Sequence, residues 1–401
     1  MTTRKLSLTR TTPISTEREF ALFDRRGCAP LSRERTAAVM GKIRSALEGL
    51  QIRTEVVEEV AANAIEVKIC FSTIGRLARD IAKVYNKVAQ VISAESNVLF
   101  IGISQPTSWD FPDFTHVLSM DLFDHEVRLF GTINSLQAHI GVETEEAGAS
   151  LYNAASRMTS ILLALSQSST VDGQVRGRAQ FIFDIANGLP SELVLPWKVR
   201  NFADFSEGME RARIQVQHRA NELSHAEIAV LHERYPSFVS PDGAILRWTP
   251  DKLFHVGARL RPDKVAPEFG LCGSVELRPI DGQSTMQADL AQLEFALGLL
   301  AHYISTGRDG VLTAHDLGDL LPSIADVARR GLSGAHWNGV SDAHTALRAA
   351  IEGLGTIGIE PKHVLNMPLD GGEAQFAEVH GMTPEQIIRL NHDRFMASVL
   401  S

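Results

Sequence analysis

The segment Ala64-Ile65-Glu66-Val67-Lys68-Ile69-Cys70 alternates apolar and charged side chains through its centre. A period of two fits a pleated strand and not a helix, so Ile65, Val67 and Ile69 share one face and Glu66 and Lys68 the other. The same period runs through Glu17-Arg18-Glu19-Phe20 and through Ser274-Val275-Glu276-Leu277-Arg278. Each run sets glutamate on its polar face, although glutamate is disfavoured in strands. The chain must therefore build a sheet with one acid-bearing face. On pattern alone two readings stay open: the solvated side of an antiparallel sheet, or hard oxygen ligands converging on divalent cations.

Other elements surround these strands. Apolar spacing predicts helices over 31–50, 73–96 and 145–165, a charged helical region over 201–233, and strands at 97–103, 135–141, 244–248 and 254–260. In the 135–141 strand, Gln137 and His139 fall on one side. Ser284 with Gln287 predicts a capping box opening a helix to about His302, and Thr383-Pro384-Glu385-Gln386 predicts another for the last helix. Residues 317–400 read as helical hairpins. No Gly-x-Gly-x-x-Gly follows a strand and no Gly-x-x-x-x-Gly-Lys-Ser/Thr occurs, which excludes the Rossmann and P-loop readings. The expected class is α+β: a mostly antiparallel sheet with helices on its outer face, one domain over 16–401 with a helical C-terminal part, behind a mobile tail at 1–15.

The 401 residues carry 39 Lys and Arg against 48 Asp and Glu, a net charge of −9, so no basic face for nucleic acid is expected. Trp109, Trp248 and Trp337 are dispersed rather than arranged as a stacking groove. Cys28, Cys70 and Cys272 are too scattered for a disulfide framework or zinc cluster and read as reduced thiols of a cytoplasmic protein. No apolar run approaches the ~20 residues of a membrane helix, and residues 1–15 lack a signal peptide's hydrophobic segment.

The stretch Thr16-Glu17-Arg18-Glu19-Phe20-Ala21-Leu22-Phe23-Asp24 resembles the opening Glu-x-Glu-Phe-x-Leu-x-Asp strand of the glutamate-cysteine ligase and carboxylate-amine ligase family. Further blocks follow in that family's order: Ile65-Glu66-Val67; Phe130-Gly131-Thr132 through Gln137-Ala138-His139-Ile140-Gly141; Leu163-Ala164-Leu165-Ser166-Gln167 with Gly173; and Gly273-Ser274-Val275-Glu276-Leu277-Arg278-Pro279. Ala328-Arg329-Arg330-Gly331-Leu332 is a weaker match. The resemblance implies a glutamine-synthetase-like fold whose sheet forms a funnel entered by ATP at one end. It implies an ATP- and Mg²⁺-dependent ligase that phosphorylates a carboxylate, expected to be the γ-carboxylate of glutamate or a related amino acid, and couples it to an amine as an amide. By the family pattern Glu17, Glu19, Glu59, Glu66 and Glu276 hold Mg²⁺, and Arg278 stabilises the transferring phosphoryl group. On their strands His139, Arg259 and Arg261 are candidates for contact with ATP phosphates, or else a structural histidine and two wet-face arginines, and the late helices offer a surface for a homodimer.

Departures from the pattern fall where substrate would bind. Gln137 replaces the first histidine of His-x-His-x-Gly and would offer Mg²⁺ only a neutral carbonyl. After Gly173 the family's Asp-Thr-Gly and Ser-x-Arg are lost. Arg176 and Arg178 stand in that region as candidate carboxylate binders or as part of a solvated loop, and His255 is a candidate for the site lining. Two other outcomes stay open: a relative that binds ligand without turnover, and a kinase that stops at the phosphorylated acid.

Overall fold

The computed structural model describes residues 7–103, 122, 133–166, 189–248, 257–330, 332, 342–369 and 378–400. Its organising element is β1, Pro13–Asp24. One edge of β1 pairs antiparallel with β3, Ala64–Thr73, in a register that sets Glu17 opposite Lys68 and Glu19 opposite Glu66. Its other edge is shared end to end: β5, Leu136–Val142, takes Ile14–Arg18, and β4, Val98–Ile101, takes Ala21–Asp24. β2, Thr54–Glu58, flanks β3, while β7, Gly273–Leu277, joins β5 to β6, Ala258–Arg261. Among the described residues these seven strands form one open sheet in which every pairing is antiparallel.

The sheet starts earlier than its alternation suggested. Pro13 and Ile14 face Thr73 and Ser72, so residues 13–15 belong to β1 rather than to the expected tail. The short β2 was not expected, because its mixed Thr-Glu-Val-Val-Glu pattern shows no clean period.

Helices pack on the sheet as their spacing requires. α1, Arg33–Leu47, opens on Ser32, whose side chain accepts the Arg35 N–H. α2, Leu77–Ala94, buries Ile81, Val84, Tyr85, Val88 and Ile92 along one stripe. The helix expected over 145–165 divides at Met158 into α3, Glu145–Arg157, and α4, Thr159–Leu165. Side-chain hydroxyls take main-chain carbonyls around the break, Ser156 Oγ donating to Tyr152 O and Thr159 Oγ1 to Ser156 O, both at 2.8 Å.

The strand expected at 244–248 is reduced to an isolated bridge between Val239 and Ile245. α5, Phe202–Ala220, takes over its backbone: Gln217 Oε1 accepts the Ile245 N–H at 2.6 Å and Arg213 Nη1 donates to Ile245 O at 2.9 Å. α6, His225–Arg234, completes the charged helical region.

α7, Met286–Ser305, is capped by Thr285 and not by Ser284, so the expected capping box is absent there. α8, Ala314–Arg330, and α9, Ala343–Thr356, follow; α9 and α7 touch backbone to backbone, since a Cβ at Gly298 would lie 2.1 Å from Ala350 O. The box of α10, Pro384–Leu400, forms as predicted, with Thr383 N–H donating to Gln386 Oε1 at 2.8 Å and Gln386 N–H to Thr383 Oγ1 at 3.4 Å. Phe395 of α10 closes an aromatic cluster with Phe20, Tyr85 and Phe100 beneath β1. No helix among the described residues is long and apolar enough to cross a membrane.

Candidate active site

Alternation along β1 turns Glu17 and Glu19 to one face and Arg18 and Phe20 to the other. Register then gathers the polar face of five neighbouring strands, β3, β1, β5, β7 and β6. Lys68, Glu17 and Gln137 lie in one cross-strand row, and His139, Glu276 and Arg259 in another. This face is not the solvated side of the sheet: Glu19, Glu66, Gln137, His139, Glu276, Arg259, Arg261 and Arg278 are all buried.

The acids divide into groups. Glu19, Glu59 and Glu66 each offer a carboxylate oxygen within 4.8 Å of the others. Glu59 stands just past β2, where its side chain meets the two strand residues. Ser135 N–H donates to Glu19 Oε2 at 2.6 Å and Gln137 Nε2 to Glu19 Oε1 at 3.3 Å, fixing that carboxylate. Burial, then the charges of Glu19 and Glu17, push Glu59 up to about 8, and burial with Glu17 and Glu59 holds Glu66 well above the usual carboxylate range. Three crowded hard-oxygen donors, two of them held back from ionising by their neighbours, fit Mg²⁺, whose charge would relieve the crowding.

Glu17 behaves differently. Burial works against its ionisation, but His139 and Lys68 outweigh it and hold Glu17 well below the usual range. Lys68 Nζ lies 2.9 Å from Glu17 Oε1, and His139 Nε2 lies 3.2 Å from Glu17 Oε2. That buried imidazole nitrogen makes no well-aligned hydrogen bond.

Glu276, the strand acid expected to share the metal, is ringed by guanidinium groups. Arg259 donates from Nε to Oε2 at 2.9 Å and from Nη2 to Oε1 at 2.8 Å; Arg261 Nη1 reaches Oε2 at 3.2 Å, and Arg278 Nη1 donates to Oε1. Burial opposes its charge, yet Arg259 and Arg278 hold the carboxyl well below its usual range. Arg261 also pairs with Asp263, Nε to Oδ1 at 3.0 Å and Nη2 to Oδ2 at 2.8 Å, so three guanidinium groups are fixed around two carboxylates, an excess of one positive charge suited to phosphate.

An open cleft of about 230 Å³ adjoins these groups and is lined by Glu17, Lys68, Phe71, His139, Lys264 and Ser274 among others. Arg176, Arg178 and His255 lie outside the described residues. Sequence reasoning missed two participants. Lys68 was legible only as a polar-face residue, and Arg18, buried beneath the site, pairs with an acid 271 positions away.

Fold and site together place the chain among the carboxylate–amine ligases. It belongs to glutamate-cysteine ligase family 2, whose family model matches residues 14–366. The structure is similar to a glutamate–cysteine ligase from Francisella tularensis solved in complex with AMP, with a TM-score of 0.58, 11% identity, and coverage of 98% of this chain and 90% of that one. A glutamine synthase homologue aligns with a TM-score of 0.39 at 13% identity, covering 96% of this chain and 71% of that one. The ligase PafA in complex with the ubiquitin-like protein Pup aligns with a TM-score of 0.41 at 10% identity, covering 99% and 65%. No protein of curated function matches the sequence.

Proposed function

We propose that the chain uses ATP and Mg²⁺ to phosphorylate the γ-carboxylate of glutamate or a related amino acid and joins it to an amine. The observation that carries this reading is the placement of the Glu19, Glu59 and Glu66 trio and the Arg259, Arg261 and Arg278 cluster on one face of one sheet. Two anions, a nucleotide phosphate and a carboxylate, must approach each other in this reaction, so the site must supply positive charge on both sides.

Glu19, Glu59 and Glu66 would hold Mg²⁺, which when bound supplies charge neutralisation at the phosphates. Arg278, with Arg259 and Arg261, offers fixed guanidinium donors to the oxygens of the transferring phosphoryl group; Glu276 keeps Arg259 and Arg278 aimed and, with Asp263, Arg261. His139 borders the cleft where nucleotide would lie, while Arg176, Arg178 and His255 are proposed for the substrate carboxylate. Burial of Glu19, Glu66, Glu276 and the three arginines Arg259, Arg261 and Arg278 limits the water that would hydrolyse the acyl phosphate before the amine attacks. The free thiols Cys28, Cys70 and Cys272 agree with a reduced, cytoplasmic setting.

The test is incubation of the purified chain with ATP, Mg²⁺, glutamate and a panel of amines, following ADP and amide together. Amide and ADP in equal amounts are expected, with turnover lowered on the order of 10²-fold or more in Arg278→Met. ADP without amide would make the enzyme a kinase, and no ADP with any acid or amine would overturn the reading.

A further inference from the structure

Lys68 occupies an unusual place on the acidic face. Its Nζ lies 2.5 Å from Glu66 Oε2 and 2.9 Å from Glu17 Oε1, so the ammonium bridges the carboxylate trio on one side and the Glu17–His139 pair on the other. This is no loose surface ion pair. The β1–β3 register sets Lys68 directly opposite Glu17, strand alternation sets it beside Glu66, and its side chain is 19% exposed. Its exposed part lines the cleft.

The neighbouring acids leave little room for a second divalent ion. Both oxygens of Glu276 are taken by arginines, and Glu17 is bound to Lys68 and flanked by His139. When all four are ionised, the carboxylates Glu17, Glu19, Glu59 and Glu66 face one ammonium, and one divalent ion on the trio brings the group to within one charge of neutrality.

We propose that Lys68 is a tethered cation of the active site, its ammonium holding the position between Glu17 and Glu66 that a second divalent ion would otherwise fill and facing the cleft as a hydrogen-bond donor to phosphate. An ammonium suits this position because it carries three donors and a compact charge without the coordination demands of a metal ion. The inference rests on the ligase reading of the same site, and it adds that the chain loads a single divalent ion before nucleotide arrives.

Mn²⁺ titration of the nucleotide-free full-length chain, followed by the electron paramagnetic resonance of free Mn²⁺, tests it. The wild-type chain is expected to bind one Mn²⁺ per chain, Lys68→Met two, and the charge-retaining Lys68→Arg one. Melting without metal controls for folding: Lys68→Met should melt lower than wild type and regain more on adding Mn²⁺. Two ions on the wild-type chain, or equal numbers on wild type and Lys68→Met, overturn the role of Lys68 and leave the ligase reading intact. No Mn²⁺ on either chain overturns the metal reading along with this one. Failure of the ligase reading shows separately, in ADP release, which the Mn²⁺ count does not use.

Discussion

Three consecutive residues of β1 serve two buried ionic clusters of opposite character. Arg18 points to the helical side, where its Nε pairs with Asp289 Oδ2 at 2.9 Å and its other donors reach the carbonyls of Glu19, Gly102 and Gln283. Gly102 and Gly282 leave room for it, since a Cβ at either position would lie within 2.2 Å of the guanidinium. Charge there is balanced one for one and the donors are used. Glu17 and Glu19 point to the other side, where carboxylates outnumber their local cations and Glu59 is pushed up to about 8. Burial alone therefore says little about purpose. A saturated pair holds the strand in place, whereas an uncompensated group is a demand for a ligand.

The largest expected effect comes from breaking the saturated side. Arg18→Met leaves Asp289 buried without its partner and should cost about 3–5 kcal/mol in urea unfolding, while the added change Asp289→Leu should recover most of the loss. A double variant as unstable as the single one would show that the surrounding carbonyls, not the ion pair, hold β1. On the other side, Glu59→Gln should lower turnover on the order of 10²-fold yet change metal-free stability by no more than about 1 kcal/mol. A large loss of stability would make the two clusters alike and remove the contrast.

The smallest effect is a difference in pH response. Folded Glu59 keeps its proton up to about 8, against an ordinary value of 4.5. Across that window the folded chain binds more protons than the unfolded chain, so its metal-free stability should fall as pH rises and level off above the window. Divalent cation should flatten the slope and Glu59→Gln should reduce it. Chemical unfolding at several pH values, with and without chelator, checks this, and a slope of the opposite sign in metal-free wild type would exclude a crowded, protonated Glu59.

Much of this was legible in the sequence because a period of two is a strong local signal. β1, β3 and β7, and the side on which Glu17, Glu19, Glu66 and Glu276 stand, follow from alternation. What alternation cannot give is register, and register decides partners. Glu276 reads as one more acid until β6 is laid beside β7 and sets Arg259 opposite it. Arg18 and Asp289 each look like ordinary charged residues, one in a strand and one in a helix. The missing strand at 244–248 fails for a similar reason: its backbone partners are side chains of a helix more than two dozen residues upstream.

The two-sided use of β1 also bounds how this chain can vary. Deleting one residue between Thr16 and Phe20 would rotate part of the strand by half a turn, driving a glutamate into the helical core and a guanidinium onto the acidic face. Length is therefore frozen in the middle of the strand. Upstream the register already shifts between Ile14 and Thr16, where Phe71 sits at φ 55° and donates its N–H to Ser15 Oγ at 3.0 Å. The β1–β3 pairing thus places its register shift at the rim of the cleft. Descendants of this sequence can reshape the rim by insertion, but they can alter the charged centre only by substitution.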